Sequence, residues 1–201
     1  IYDSASVDVR HGLDPLGGST FSAGPNSGNS AFPYMAQSFT AGISGEVTRV
    51  DLPMYCPTGD VLIEIRTASG GQPTSTVLAS ENFTNGSGLP TTFSGVYEFS
   101  FSTPATISSG SQYAIVLTVS SECAWFTASG YTGGTGYLST NAIIWQSIGD
   151  FAFQTFITPI PPDNCPTDIN PLQEDSNSNG IGDACELPDQ DSDGIPDNSD
   201  N

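Results

Sequence analysis

The residues best placed to do chemistry lie near the C-terminus, in DNCPTDINPLQEDSNSNGIGDACELPDQDSDGIPDNSDN (163–201). Asp175, Asn177 and Asn179 stand at alternate positions, Gly180 follows, and Glu186 holds the twelfth place counted from Asp175. The pattern starts again at Asp189, with Asp191, Asp193 and Gly194, and with Asp200 at the twelfth place. Calcium is a hard cation that takes six to eight oxygens, and side-chain oxygens at places 1, 3 and 5 let a loop wrap around it. The sixth place turns sharply and favours Gly. The seventh offers a backbone carbonyl, here Ile181 and Ile195, and the twelfth closes the shell with a carboxylate. Asp183 and Asp197, both at the ninth place, ligate directly or through water. A solvated, disordered acidic tail is the plainer reading of such a composition. It does not explain why Gly and the closing acid recur at the same offsets.

DNCP at Asp163–Pro166, the Asn170-Pro171 pair, DSNSNGIGDACE and DQDSDGIPDNSD together resemble the thrombospondin type-3 repeat. The resemblance covers residues 163–201 and implies a calcium-filled rod without the helices of an EF-hand. Asn177 and Asn179 stand where that family usually has Asp, which lowers the charge of the first loop and weakens its expected site. Asp200-Asn201 repeats the Asp163-Asn164 that opens DNCP, so the gene product is expected to continue past Asn201.

The 201 residues suffice for one sizeable domain besides this tail. Formal net charge is −19, from 22 acids against three arginines and no lysine, and eleven of the acids fall at 163–201. Without metal these carboxylates repel one another, so charge alone predicts a tail that folds only when calcium neutralises it. The same charge excludes nucleic acid and anionic membrane surfaces as partners.

Four cysteines allow three pairings. Two precede the tail and two lie within it, which favours Cys56 with Cys123 and Cys165 with Cys185. The tail has too few apolar residues for a core, and a staple plus metal is the usual remedy. Disulfides and a calcium loop point outside the cell. No apolar run approaches the length of a membrane span. The chain begins at Ile1, which carries the expectation that a signal peptide has been removed.

The elements that must carry the tail come before it. Residues 1–10 alternate, with Ala5, Val7 and Val9 on one face, as a half-buried strand does. The Gly-, Ser- and Pro-rich connection that follows, through residue 30, is expected to be flexible. From Ala31 to Thr158 short strands alternate with turn signals, at AQSFTA, TRVDLPMY, DVLIEIRTA, TVLASENF, VYEFSFST, QYAIVLTV, CAWFTA, AIIWQ and FAFQTFI. Such spacing predicts an all-β, two-sheet sandwich of jelly-roll kind. The expected organisation is a strand and tether at 1–30, a sandwich at 31–158, a Pro-rich linker at 159–162 and the calcium repeat at 163–201.

Gln37–Gly42, Val47–Leu52, Gly59–Thr67, Gly70–Pro73 and Phe151–Thr155 resemble motifs of β-sandwich modules in secreted bacterial proteins, some described as choice-of-anchor domains. That resemblance implies a fold and an extracellular location.

Catalytic means are scarce. The single histidine is His11 and no motif activates a serine, while Glu64, Glu98 and Asp51 sit at outward phases where a solvated face is expected. The chain is therefore expected not to be an enzyme. Trp125, Tyr131, Tyr137 and Trp145 fall in one Gly- and Thr-rich stretch, and aromatic faces beside hydroxyls suit sugar rings. Tryptophans on strands more often fill a core, so Trp125 and Trp145 carry both readings. Asn82 and Asn85 open N-x-[ST] sequons. Two functions from different classes follow. One is a secreted structural subunit that joins copies of itself through its N-terminal strand and a calcium-rigidified tail. The other is a surface adhesin or glycan-binding module. Residues 1–10 can pair within their own sandwich or complete a neighbour's sheet.

Overall fold

The computed structural model describes residues 6–13, 19–25, 32–85, 88–160, 164–165 and 174–186. The chain divides into two compact units, Ile1–Ile160 and Pro161–Asn201, with the boundary inside the Pro-rich linker. Among the described residues there is no helix.

In chain order the first unit holds β1 (Ser6–His11), β2 (Thr20–Ala23), β3 (Tyr34–Thr40), β4 (Gly45–Leu52), β5 (Met54–Tyr55), β6 (Val61–Ser69) and β7 (Gln72–Asn85). There follow β8 (Gly88–Leu89), β9 (Tyr97–Ile107), β10 (Gln112–Val119), β11 (Cys123–Ala128), β12 (Gly136–Ser139), β13 (Trp145–Phe151) and β14 (Phe153–Pro159). They form a two-sheet β-sandwich. One sheet has four strands in the order β1-β14-β4-β9; the other runs β2-β11-β13-β12-β3-β10-β6-β7-β8, with β5 paired to β11. All pairings are antiparallel except β7 with β8.

The period-2 pattern decides which side chains meet. Val61, Ile63 and Ile65 of β6 and Ile115, Leu117 and Val119 of β10 are buried in one core with Phe99 and Phe101 of β9. Each fully buried Ile, Leu or Phe contributes about 1.5–3 kcal/mol relative to exposure. Cys56 and Cys123 are bonded, as the sequence favoured, and both are fully buried. Their bridge ties the end of β5 to the start of β11, the pair of strands that meet at Ala124 and Tyr55. Closing the 67-residue separation stabilises the fold by about 4 kcal/mol in the chain-entropy account.

Trp125 fills the core. It is fully buried and stacks on Phe151 with ring centroids 4.4 Å apart. Its Nε1 donates to the Ala152 carbonyl at 2.8 Å, and the Ala152 amide donates to Phe126 at 2.9 Å. Ala152 is the corner where the chain leaves β13 in the larger sheet for β14 in the smaller one. Gln37 secures the same corner, its Oε1 accepting from the Phe151 amide at 2.6 Å.

Three expectations are corrected here. The Gly-rich connection contains a strand, β2, whose Ala23 is fully buried and whose Phe21 meets Phe151 edge to face at 6.5 Å. Its composition reads as loop because pairing with β11, not local propensity, makes it a strand. AIIWQ begins its strand only at Trp145. Asn141 Oδ1 accepts from the Ile143 and Ile144 amides, both at 3.0 Å, and holds a tight turn with those isoleucines in solvent. Glu64 and Asp51 are buried, not solvated. Glu64 pairs with Arg66, whose Nε donates to Oε2 at 3.0 Å. Arg49 Nε lies 2.9 Å from Asp51 Oδ1, an ion pair whose angle leaves both atoms without a hydrogen bond. Burial raises the Asp51 carboxyl above its usual value against the pull of Arg49, and Glu98 raises it further. The Glu98 side chain is 67% exposed, as expected of an outward phase.

The N-terminal strand pairs with β14 of its own chain, Ser6 opposite Ile157 and His11 opposite Phe153, with a register shift between Val7 and Arg10. Asp8 Oδ1 accepts from the Gly42 and Ile43 amides, each at 2.9 Å, and the Val9 amide donates to Thr155 Oγ1 at 3.1 Å. Residues 1–5 lie outside the described residues.

Candidate metal centre

The first loop is built on a short turn closed by a disulfide. Cys165 and Cys185 are bonded across a separation of 20 residues, worth about 3 kcal/mol in the same entropic account. The Gly182 amide donates to the Asn164 carbonyl at 2.9 Å, and the Asp183 amide to the Glu174 carbonyl at 2.8 Å. A Cβ on Gly182 would come within 2.3 Å of Asn164 Oδ1 and 2.6 Å of Cys165 Sγ, so only Gly lets the two segments approach. The Cys185 and Glu186 amides both donate to the Gly182 carbonyl at 3.0 Å, and this turn carries Glu186 back toward the start of the loop.

At that start, three side chains accept backbone amides ahead of them. Asp175 Oδ1 accepts from Asn179 at 3.2 Å and Oδ2 from Gly180 at 2.9 Å. Asn177 Oδ1 accepts from the Asn179 amide at 3.1 Å, and Asn179 Oδ1 from the Ile181 amide at 2.8 Å. Such Asx turns suit short polar side chains. Gly180 has φ +88°, the left-handed conformation that the sixth place demands. The Nδ2 groups of Asn177 and Asn179 both donate to Glu186 Oε1 at 2.7 Å. Places 3, 5 and 12 thus meet directly, and place 1 joins them through the Asn179 amide.

The ninth place behaves differently. Asp183 turns to Ser176, accepting its hydroxyl at 2.6 Å and its amide at 2.8 Å. The Ser176 hydroxyl, and then its amide, hold the Asp183 carboxyl below its usual value. Sequence reasoning missed this clamp, although a serine after the first ligand position was there to be read. Ile181 presents its side chain to solvent, 49% exposed.

The residue types fit calcium, with the Asn177 and Asn179 amides turned so that Nδ2 and not Oδ1 faces Glu186. Among the described residues no three His, Cys, Asp or Glu side chains converge, because two of the four converging positions are amides and Asp183 faces Ser176. Every candidate ligand is an oxygen carrier, which suits a hard cation and no softer metal. Asp175, Asn177, Asn179 and Glu186 would hold the ion with the Ile181 carbonyl. The second loop, with Asp189, Asp191, Asp193, Ile195, Asp197 and Asp200, lies outside the described residues.

Residues 174–201 match the family model of the thrombospondin type 3 repeat. The match takes in both loops and agrees with the register above, since its first residue precedes Asp175. No curated protein is significantly similar to the chain. One solved structure, that of the cysteine protease and lectin-like domains of Cwp84, a surface layer associated protein of Clostridium difficile, resembles it at TM-score 0.45 and 12% identity. That resemblance covers 64% of this chain and 33% of the other, so the chain spans about a third of that protein's length.

The remaining sequence candidates scatter. Trp125 and Trp145 belong to different clusters: Trp125 to the inter-sheet core, Trp145 to a second group with Tyr137, Ala36, Ala114, Val116 and Tyr34. Tyr131 packs on the main core, 5.4 Å edge to face from Phe153. The four aromatics do not form one platform. Asn82 and Asn85 are exposed on β7, and Asn85 Nδ2 donates to the Cys56 and Pro57 carbonyls at 3.3 and 3.4 Å. No helix of the described residues is long and apolar enough to cross a membrane.

Proposed function

We propose that the chain is a secreted, calcium-binding structural module, a disulfide-tied β-sandwich followed by a calcium-stiffened repeat, which joins copies of itself outside the cell. The observation that carries this reading is the first loop, where Asp175, Asn177, Asn179 and Glu186 converge within a matched thrombospondin type 3 repeat. Two bonded cysteine pairs support an oxidising, extracellular setting.

Self-association through β1 is the finer part of the proposal. β1 sits at the edge of the four-stranded sheet and is followed by a Gly-rich connection, so the same β14 edge can receive a neighbour's strand. Calcium titration calorimetry tests the metal, and electron microscopy with calcium tests the assembly. Filaments are expected; monodisperse particles at every calcium concentration would remove the structural reading.

A second reading, glycan recognition, is favoured by one observation. Trp145 Nε1 is buried without a hydrogen-bond partner, beside the buried Tyr137 and the half-buried Tyr34 on the outer side of the larger sheet. Glycan-array binding that is lost in Trp145→Ala and kept in Ile143→Ser would support it, and no binding by the intact chain would remove it.

A further inference from the structure

We propose that Asn177 and Asn179 latch the first loop shut without calcium, so that it keeps its fold when the ion is withdrawn and fills only after the second loop. The inference rests on the calcium reading above and specifies how that site is regulated.

Each side chain at places 3 and 5 has two jobs. One oxygen accepts the backbone amide ahead, and the atom on the other side faces the centre of the loop. An aspartate does both with oxygens. An asparagine has one oxygen, and here it is committed outward: Asn177 Oδ1 to the Asn179 amide at 3.1 Å, Asn179 Oδ1 to the Ile181 amide at 2.8 Å. What faces inward from both residues is an NH2 group, a donor and never a cation ligand. Both donors land on Glu186 Oε1 at 2.7 Å, the short distance of charge-assisted bonds.

Two consequences follow from that geometry. Without calcium, the closing carboxylate already has partners. The Asp183 clamp on Ser176, the Gly182–Asn164 backbone bond and the Cys165–Cys185 bridge hold the rest of the turn. The repulsion expected from charge alone is therefore reduced in the first loop, where two of the four converging positions are neutral. With calcium, both amides must rotate to present oxygen, which breaks the bonds to Glu186 and gives up the outward Asx bonds. The second loop has Asp189, Asp191 and Asp193 at places 1, 3 and 5, side chains with no NH2 group to donate. Affinity is thereby graded along the repeat, and Asn177 and Asn179 set the grade.

The test uses the full chain, labelled with nitrogen-15, in chelator and through a calcium titration. In chelator the amides of Gly180, Ile181, Gly182 and Asp183 are expected to exchange at least about tenfold more slowly than coil. Calcium-dependent shifts of the first loop are expected at concentrations about tenfold above those that move residues 189–200. The double variant N177D/N179D should lose the protection in chelator and gain about tenfold in first-loop affinity. Coil-like exchange in the unaltered chain, undiminished protection in the double variant, or a first loop that fills together with the second would each overturn the latch. If neither protein shifts with calcium, the calcium reading itself falls, and protection in chelator still decides whether the latch exists.

Discussion

The ring of His11 lies 5.1 Å from that of Tyr131, centroid to centroid, and its Nε2 is buried without a hydrogen-bond partner. Burial lowers the His11 pKa below 6.5, and the Asp150 charge opposes this in part. The folded chain thus favours the neutral ring, and the unfolded chain binds more protons below pH 6.5. This contribution is fully present above 6.5 and is lost as pH falls through the folded pKa. Asp8 on the same strand works the other way. Burial raises its pKa above 3.8 against the Ile43 and Gly42 amides, so its contribution is present below 3.8 and lost as pH rises through the folded value. The docking of β1 should therefore weaken as pH falls from 6.5 through the folded His11 pKa, then recover in part as pH falls through the folded Asp8 pKa. Amide exchange at Val9 and Arg10 across this range measures it. A His11→Gln variant that weakens as steeply just below pH 6.5 as the unaltered chain would rule the histidine out.

Glu186→Ala should weaken calcium binding at the first loop more than Asp183→Ala does. Glu186 is where the loop converges, whereas Asp183 is engaged with Ser176. Because Asp183 sits below its usual pKa, its contribution is present above 3.8 and lost as pH falls through the folded value. Calorimetric titration of both variants settles the ranking, and equal losses would refute this register.

The buried pair of Glu64 and Arg66, with side chains 9% and 10% exposed, gives the largest expected electrostatic effect on stability. Arg66→Ala strands a buried carboxylate and should cost about 3–5 kcal/mol, while replacing both partners with Met should cost far less. Urea unfolding of the single and double variants gives both numbers. A double variant no more stable than Arg66→Ala would show that packing, not charge, sets the loss.

Much of this was legible in the sequence where one physical rule dominates. Alternation fixed the faces of β6, β9 and β10 because one side of each strand is dry and a one-residue slip would reverse it. The turn at Gly180 was legible because the sixth place of such a loop needs a positive φ, which Gly180 has at +88°. The pairing of Cys56 with Cys123 was favoured by position and is present. Other features depend on what lies across the sheet, which a local pattern does not contain. Glu64 reads as an outward acid, yet two positions along it finds Arg66, and both are covered. Thr20–Ala23 becomes a strand only because β11 offers an edge. Trp125 and Trp145, close in sequence, end up in different clusters because β13 and β11 meet through only Thr127–Phe151 and Ala128–Asp150.

Trp125→Ala should destabilise the sandwich by about 3–5 kcal/mol, since it empties a fully buried site and frees the Ala152 corner. Ile143→Ser and Ile144→Ser, 77% and 73% exposed in the intact chain, should stay within about 0.5 kcal/mol. Thermal unfolding with calcium present compares all three. If Trp125→Ala melts like the isoleucine variants, the corner is not where the sheets are joined.

The last expectation concerns β1 as a connector. The strand is fixed by Asp8 on the Gly42 and Ile43 amides, by Val9 packed on the core and by pairing with β14. Every one of those contacts is made to residues later in the chain, so an identical strand from another copy satisfies them equally well. β2, held on β11, shortens the connection after β1 to the residues between His11 and Thr20, so an exchanged strand must be handed over across that stretch. Exchange keeps the backbone hydrogen bonds of the β14 edge and adds a link between molecules. Where such links run head to tail without closing, they extend into open chains. If copies assemble as proposed, deleting residues 1–11 should abolish assembly and leave a soluble sandwich, destabilised by about 1–2 kcal/mol from the lost burial of Val9 alone. Adding a peptide of residues 1–11 should restore that stability without restoring assembly, because the peptide fills the edge and carries no second domain. A deletion variant that still forms filaments would mean that the copies meet elsewhere.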